Sequence, residues 1–391
     1  MGRKAKYTPE EIEFIKTHHI DDLCQKWPTT PRNTLIATKR YWTKTVEQQP
    51  SEEPVKRLYK TWETSAFNKE TGEWETTTNH GYEFIHDTKK DLIVEPVVPA
   101  IIRFNRQRIP KRDHKVIFVI SDAQIGYRRI GEELVPIHDE NSISAALKLA
   151  NDLRPDFVVD CGDTVDFAEL GKYSPKDNHF IGTLQPSLQR THDMFAEFTA
   201  ATPGAERHSV DSNHTKRLGD YVLRNAFELY GLTSPGDKYP ALSVPGLLKL
   251  DEIGWEFHGG YGLAEYEYAP DLAFIHGTDS VSQGSTAAKL GKKNHDRNIV
   301  QGHAHRMETQ YHTDRHGRMF GAFVVGALCR RDGVVPSYWS AVDQFGKPVT
   351  KNENWQGGVM VIRDYGEGKY TFDHVPIFDG VIHYNGRTYN A

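Results

Sequence analysis

Between residues 116 and 305 the chain repeatedly runs through a short apolar stretch and stops on a carboxylate or an imidazole. The clearest case is residues 157–166, where the apolar 157–159 leads through Asp160 and Cys161 into Gly162-Asp163-Thr164-Val165-Asp166. An apolar run of that length reads as a buried strand. A glycine before the acid lets the backbone turn sharply, so the carboxylate faces the crevice beyond the strand's carboxyl end. The run 116–120 ends in Ser121-Asp122-Ala123-Gln124, and Ile275-His276-Gly277 and Gly302-His303-Ala304-His305 follow later; Asn213-His214 is a polar pair without a clear apolar run before it. Oxygen and imidazole donors that several strands aim at one point suit hard or borderline divalent cations such as Mn, Mg, Fe or Zn.

The segments between these clusters alternate in type. Residues 142–153 place Ile143, Ala146, Leu147, Ala150 and Leu153 on one helical stripe between two strands. That is a β-α-β unit, with the Asp122 and Asp163 strands parallel and both acids at one sheet edge. Residues 188–198 and 217–229 read as further helices, and 244–253 as a short apolar segment before a strand at 255–257. Residues 271–275 deliver His276. Gly284-Ser285 then starts a helix through Leu290, as an ordinary N-cap rather than a phosphate site. Arg306, directly after His305, is placed to touch a bound phosphate. Beyond His312, strand and turn signals at 315–317, 321–326, 355–362 and 370–377 add strands that close the fold.

Taken in order, Asp122-x-Gln124, Gly162-Asp163-x-x-Asp166, Asn213-His214, His276 and Gly302-His303-x-His305 resemble the calcineurin-like metallophosphoesterases. That family's pattern is D-x-H, GDxxD, GNH with an acid, a lone His, and GHxH. The resemblance covers roughly residues 113–310, and the motif order is similar to that of SbcD-type repair nucleases. It implies an α/β fold, a four-layer α/β/β/α sandwich of two mixed sheets flanked by helices. It also implies two divalent metal ions, Mn foremost, with Mg, Fe or Zn as alternatives. Asp122, Asp163 and His305 would hold one ion, with Gln124 at the family's histidine position. Asp163, Asn213, His276 and His303 would hold the other, and Asp163 would bridge. Ions about 3.5–4 Å apart can share a bridging hydroxide that attacks phosphorus in line. His214 corresponds to the histidine that assists the leaving oxygen, and Asp166 to the acid that orients it.

Two departures bear on this. Gln124 replaces an imidazole with an amide oxygen, a weaker ligand that cannot act as a base. Ser212 and Thr215 stand where the family has glycine and an acid.

At 391 residues and 44.5 kDa the chain exceeds a typical single core. Three segments are expected: a helical module over 1–45, a linker with a small β-hairpin over 46–112, and the phosphoesterase-like domain over 113–391. Net charge is −5, but residues 1–45 carry nine Lys or Arg against five Asp or Glu. A basic head on an acidic body suits nucleic acid at one end. Three short helices within residues 8–43 resemble a helix-turn-helix, with Arg32, Asn33, Lys39 and Arg40 available to DNA. A helical docking or oligomerisation module fits the same pattern. The hairpin is expected within residues 62–84, around Thr71-Gly72, and a basic approach runs over 103–112.

Cys24, Cys161 and Cys329 are odd in number and far apart, which fits a reducing cytoplasm rather than a disulfide framework. No apolar h-region opens the chain and no window reaches ~18 apolar residues, so neither export nor a membrane partner is expected. The leading functional expectation is phosphodiester hydrolysis in nucleic acid, with DNA foremost. A phosphatase or a nucleotide or cyclic-nucleotide phosphodiesterase keeps the chemistry and changes the substrate. A DNA-binding protein with a degenerate phosphoesterase fold is the reading from another class. A homodimer is left open.

Overall fold

The computed structural model describes residues 14, 17–28, 112–171, 178–281, 285–332, 335 and 354–391, and the backbone of 55–68 and 73–85. The chain divides into two compact units, Met1–Ile93 and Val94–Ala391.

In the first unit, α1 (Ile20–Lys26) starts after His19, whose backbone N–H donates to the Asp22 carboxylate. Its Leu23 is fully buried against Phe14, Ile20, Cys24 and Trp27, the i, i+4 pairing expected of Leu23 and Trp27. The third helix of the expected module, with Arg32, Asn33, Lys39 and Arg40, lies outside the described residues. A hairpin of β1 (Val55–Asn68) and β2 (Glu73–Ile85) pairs antiparallel, with arms that start earlier in the chain than its composition suggested.

The second unit is mixed α/β. An eight-stranded sheet contains β3 (Lys115–Ile120), β6 (Phe157–Asp160), β7 (Glu206–Val210) and β8 (Glu256–His258), which run parallel side by side. It continues past β3 through β14 (Gly358–Asp364), β15 (Tyr370–Phe378), β16 (Val381–Tyr384) and β17 (Arg387–Asn390), all antiparallel. A five-stranded sheet has the order β12 (Glu308–Thr313), β13 (Met319–Val324), β11 (Asn298–Gln301), β10 (Leu272–Ile275) and β9 (Glu265–Ala269). Its three central strands are parallel. A small ribbon, β4 (Tyr127–Ile130) with β5 (Glu133–Pro136), lies outside both sheets.

Burial explains the layering. Strand β3 is apolar at every position from Val116 to Ile120 because both its faces are covered. Ile117 and Val119 meet Val159, Phe274, Val300, Phe323, Met360 and Ile362 in a core between the two sheets. Val116, Phe118 and Ile120 point the other way, as alternation along a strand requires. They pack with Ile143, Ala146, Leu149 and Ala150 of α2 (Glu140–Leu153) and with Leu188, Phe195 and Phe198 of α3 (Leu184–Ala201). On the outer face of the five-stranded sheet, Leu290 of α5 (Thr286–Lys293) packs on Ala273, Ile299 and Ala322. Full burial of a side chain the size of Phe118 contributes roughly 1.5–3 kcal/mol. A charge at Val119 would enter the inter-sheet core with no partner.

One boundary differs from expectation in a way that matters. The helix expected from residue 217 is α4 (Asn213–Asn225), so Asn213 and His214 occupy its first turn. Ser212 is its N-cap: its hydroxyl accepts from the Thr215 N–H at 3.3 Å, while the Ser212 N–H donates to Thr215 Oγ1 at 2.8 Å. Ser212 and Thr215, read as two losses from the family pattern, form one reciprocal capping box. The apolar segment at 244–253 contributes only a four-residue turn, Val244–Leu247, before β8.

Candidate metal centre

The residues after the carboxyl ends of β3, β6, β7, β10 and β11 converge. Two adjacent loops form the floor. The N–H groups of Asp122, Gln124 and Ile125 donate to the carbonyls of Gly162, Asp163 and Thr164 at 2.9, 2.9 and 2.7 Å, so residues 122–125 run alongside 162–165. Gly162 allows this approach. Its φ is +90°, and a Cβ there would stand 2.7 Å from the Val210 carbonyl oxygen and 2.8 Å from Ser212 Cβ.

Asp163 lies at the intersection of two groups whose donor atoms are within 4.8 Å of one another: Asp163, His276 and His303, and Asp122, Asp163 and His305. Its Oδ1 accepts the His214 N–H at 3.0 Å. Its Oδ2 is buried, accepts no hydrogen bond among the described residues, and faces His276 Nε2 at 3.3 Å and His214 Nε2 at 3.5 Å. Burial pushes the Asp163 carboxyl up, but the His214, His276 and His303 imidazoles outweigh it and hold the group well below the usual carboxylate range. Burial likewise pushes His276 down, and Asp163 more than reverses this, to about 9. Burial and the neighbouring His276 hold His303 at about 4.

The imidazoles are oriented from behind. His276 Nδ1 donates to the Cys161 carbonyl at 2.7 Å, which turns Nε2 toward the site as the nitrogen whose proton a bound cation would displace. Asn213 Oδ1 stands 2.8 Å from that Nε2, and His303 Nδ1 3.2 Å from it. On the other side His305 Nε2 is 3.2 Å from Asp122 Oδ1, and the His303 N–H donates to Asp122 Oδ2 at 3.0 Å. Gln124 is fully buried with its Nε2 3.3 Å from His305 Nε2. A half-turn of the amide exchanges nitrogen for oxygen there.

His214 is buried, with Nδ1 3.2 Å from Asp166 Oδ1. Asp122, Gln124, Asp163, Asp166, Asn213, His214, His276, His303 and His305 are thus brought together. Arg306 is not. It donates to the Val281 carbonyl at 2.6 Å and pairs with Glu308 at 3.3 Å, holding the turn before α5. Arg32, Asn33, Lys39 and Arg40 fall outside the described residues.

Sequence reasoning missed two residues. Arg217 follows His214 by three positions on α4. Its guanidinium stands 2.8 Å from His214 Nε2 and donates to the Asp166 carbonyl at 2.7 Å. The i, i+3 spacing was the available signal. Asp160, the last residue of β6, accepts from Thr164 Oγ1 and Ser209 Oγ at 2.7 Å each and from the Gly162 N–H at 3.2 Å. Burial pushes its carboxyl up to about 6 against those hydrogen bonds. It ties the Asp163 loop to β7, and a carboxylate at a strand end was its signal.

The donor set fits divalent cations: carboxylate, amide oxygen and imidazole, with one ionised carboxylate common to both groups. Fold and site together define a mixed α/β protein with a candidate two-cation centre. No family model matches the chain. It is 24% identical over 285 residues to the gene 54 protein of Mycobacterium phage L5, covering 71% of this chain and 99% of that protein. It is also 24% identical over 252 residues to the gene 54 protein of Mycobacterium phage D29, covering 62% and 87%. Similar solved structures include a dimetal phosphatase from Danio rerio (13% identical, 66% of this chain and 95% of that one, TM-score 0.28). A phosphoesterase from E. coli (11%, 67% and 100%, 0.22) and a purple acid phosphatase from yellow lupin seeds (10%, 84% and 58%, 0.31) are others.

Proposed function

We propose that the protein is a metal-dependent phosphoesterase of the calcineurin-like kind, hydrolysing phosphodiester bonds in nucleic acid. The observation that carries this is Asp163, a buried carboxylate held ionised, with one oxygen on a backbone N–H and the other aimed between two donor groups. A four-layer α/β/β/α reading of the larger unit belongs to the same proposal. It is supported by the apolar layers on both sides of the eight-stranded sheet and beneath α5.

Asp122, Asp163, His305 and Gln124 would hold one divalent ion, and Asp163, Asn213, His276 and His303 the other, with Mn the first choice. When bound, such a pair lowers the pKa of water and neutralises the oxygens of a phosphate under attack. The chain's own residues supply the rest. Cys161 fixes the His276 tautomer through its carbonyl. Arg217 has only donors to offer, so His214 Nε2 accepts from it and Nδ1 carries the proton that faces Asp166. Asp166 thereby fixes the ring, and delivery of a proton to the leaving oxygen would require Nε2 to be protonated and released from Arg217.

Nucleic acid as substrate is supported by the basic balance of residues 1–45, with Arg32, Asn33, Lys39 and Arg40 as its proposed contacts. Among the described residues no helix is long and apolar enough to cross a membrane. Gln124 favours a second reading, a DNA-binding protein with little turnover. One assay separates the two: hydrolysis of a generic phosphodiester and a phosphomonoester with Mn or Mg, for wild type, Asp163→Asn and His214→Ala. A rate loss on the order of a thousandfold or more in the variants supports the enzyme. Equal inertness of all three overturns it.

A further inference from the structure

A second group of metal-ligand side chains lies on β7 and β8, outside the centre described above. In the parallel pairing His208 is opposite Glu256 and Val210 is opposite His258. Glu256 and His258, two apart on β8, share a face, and His208 meets them on it. His208 Nδ1 is 3.1 Å from His258 Nε2 and 3.8 Å from Glu256 Oε2, and one donor atom of each residue lies within 4.8 Å of the others. Donors about 2.0–2.2 Å from a tetrahedral ion stand roughly 3.4 Å apart, and the two separations from His208 Nδ1, 3.1 and 3.8 Å, straddle that value.

The group has a rigid side and an open side. The buried His208 ring stacks on Tyr266 of β9 at 3.7 Å and 13°, which fixes its direction. His258 is half-buried and Glu256 exposed, so an ion has a path in and water can complete its coordination.

We propose that His208, Glu256 and His258 form a third, mononuclear cation site for a borderline transition-metal ion such as Zn2+ or Co2+. Two imidazoles with a single carboxylate favour such ions over Mg2+ or Ca2+, which take mainly oxygen. The site is structural. β8 is a three-residue edge strand, and an ion shared with β7 pins it. The Asp211 N–H donates to the His258 carbonyl at 2.9 Å, and Asp211 Oδ2 accepts the Gly260 and Tyr261 N–H groups at 2.9 Å each. Asp211 Oδ1 accepts from Thr215 Oγ1 in the first turn of α4. The ion would therefore brace the turn that presents Asn213 and His214.

The test is Co2+ bound per full-length chain, by elemental analysis after gel filtration and by visible absorption, for wild type, Glu256→Gln, His258→Ala and Asp163→Asn. Glu256 is exposed, so its Gln variant is expected to keep the fold, with circular dichroism as the check. The expected result is that Glu256→Gln and His258→Ala each lose one equivalent and its absorption band, while Asp163→Asn retains that equivalent. If both β8 variants keep the wild-type count, the cluster is an imidazole–imidazole hydrogen bond and the proposal falls. If wild type binds one ion, lost in His258→Ala and kept in Asp163→Asn, this site stands and the two-cation centre fails instead.

Discussion

Replacing Asp163 by Asn should separate folding from cation binding, because its two oxygens do different jobs. Oδ1 accepts the His214 N–H at 3.0 Å, and an amide oxygen can do the same, so the start of α4 stays anchored. The amide NH2 then takes the place of Oδ2, 3.3 Å from His276 Nε2. The Nδ1 proton of that ring is committed to the Cys161 carbonyl, so Nε2 can accept from the new NH2. The variant would thus close with a neutral hydrogen bond the space in which wild type places a bare carboxylate. A ligand present at a hundred times its Kd stabilises the native state by about 2.7 kcal/mol per site. For a unit of this size each kcal/mol shifts Tm by roughly 2 °C, so two Mn2+ sites predict a rise of about 10 °C for wild type. Asp163→Asn should melt without metal near the wild-type temperature and show almost none of that rise. Thermal unfolding by circular dichroism, with and without Mn2+, reads both quantities. A rise in Asp163→Asn as large as in wild type, or none in wild type up to millimolar Mn2+, would refute the bridging role of this carboxylate.

Other substitutions probe the scaffold. Gly162→Ala puts a Cβ 2.7 Å from a carbonyl oxygen at a φ of +90°, and should cost about 2–5 kcal/mol, read as a lower urea midpoint. Ser212→Ala removes the N-cap of α4; a loss of about 1 kcal/mol in urea unfolding is expected, with a fall in any phosphoesterase rate because His214 lies in that first turn. Glu140 is held below the usual range by its hydrogen bonds to Arg190, both at 2.7 Å, which join α2 to α3. A lowered carboxylate contributes stability that is fully present above its unfolded value of 4.5 and lost progressively as pH falls toward its depressed folded value. Glu140→Gln should therefore cost about 1 kcal/mol at pH 7, discounted for partial exposure, and only a minor part of that in melts near pH 2, where the native carboxylate is still partly ionised. Asp166→Asn should lower kcat about tenfold through loss of the carboxylate charge 3.2 Å from His214 Nδ1, while the number of bound cations stays unchanged.

Those parts of the fold that depend on neighbours in sequence were legible; those that depend on partners far along the chain were not. The stripe Ile143, Ala146, Ala150 announced α2 because a helix face is a local pattern, and Asp139 caps it as such patterns require. Nothing local says that β14, more than 200 residues after β3, inserts beside it, with Ile362 opposite Ile117. Runs 116–120 and 157–159 predicted parallel strands with their acids at one edge, and Ile120 does pair with Asp160. The start of α4 lies four residues before the expected 217 because Asn213 and His214 serve both as site residues and as the first turn of the helix. Ser212 and Thr215 had the spacing of a capping box, and the comparison with a family pattern concealed it. Arg217 and Asp160 went unseen for a related reason: each acts on a residue the motif names without being part of it.

The centre's backbone makes Gln124 more informative than a weakened ligand. Asp122, Gln124, Asp163, His303 and His305 have φ of 54°, 46°, 53°, 68° and 53°, five of the eleven non-glycine residues with positive φ among those described. Each such conformation costs roughly 1–3 kcal/mol and persists only where the surroundings over-determine it. Here the surroundings are the paired loops: Gln124 is held by the Asp163 carbonyl and Asp122 by the Gly162 carbonyl, independently of what the Gln124 side chain is. A change from imidazole to amide at this position therefore alters affinity without altering shape. Gln124→His should then raise the affinity of the Asp122–His305 side for a borderline ion while leaving the backbone as it is. Titration of the last-bound Mn2+ equivalent in Gln124→His and wild type measures this. Tighter binding of one equivalent, with the other unchanged, is the expected result. Unchanged affinity of both would mean that residue 124 does not face a cation, and the Asp122 side of the centre would have to be reassigned.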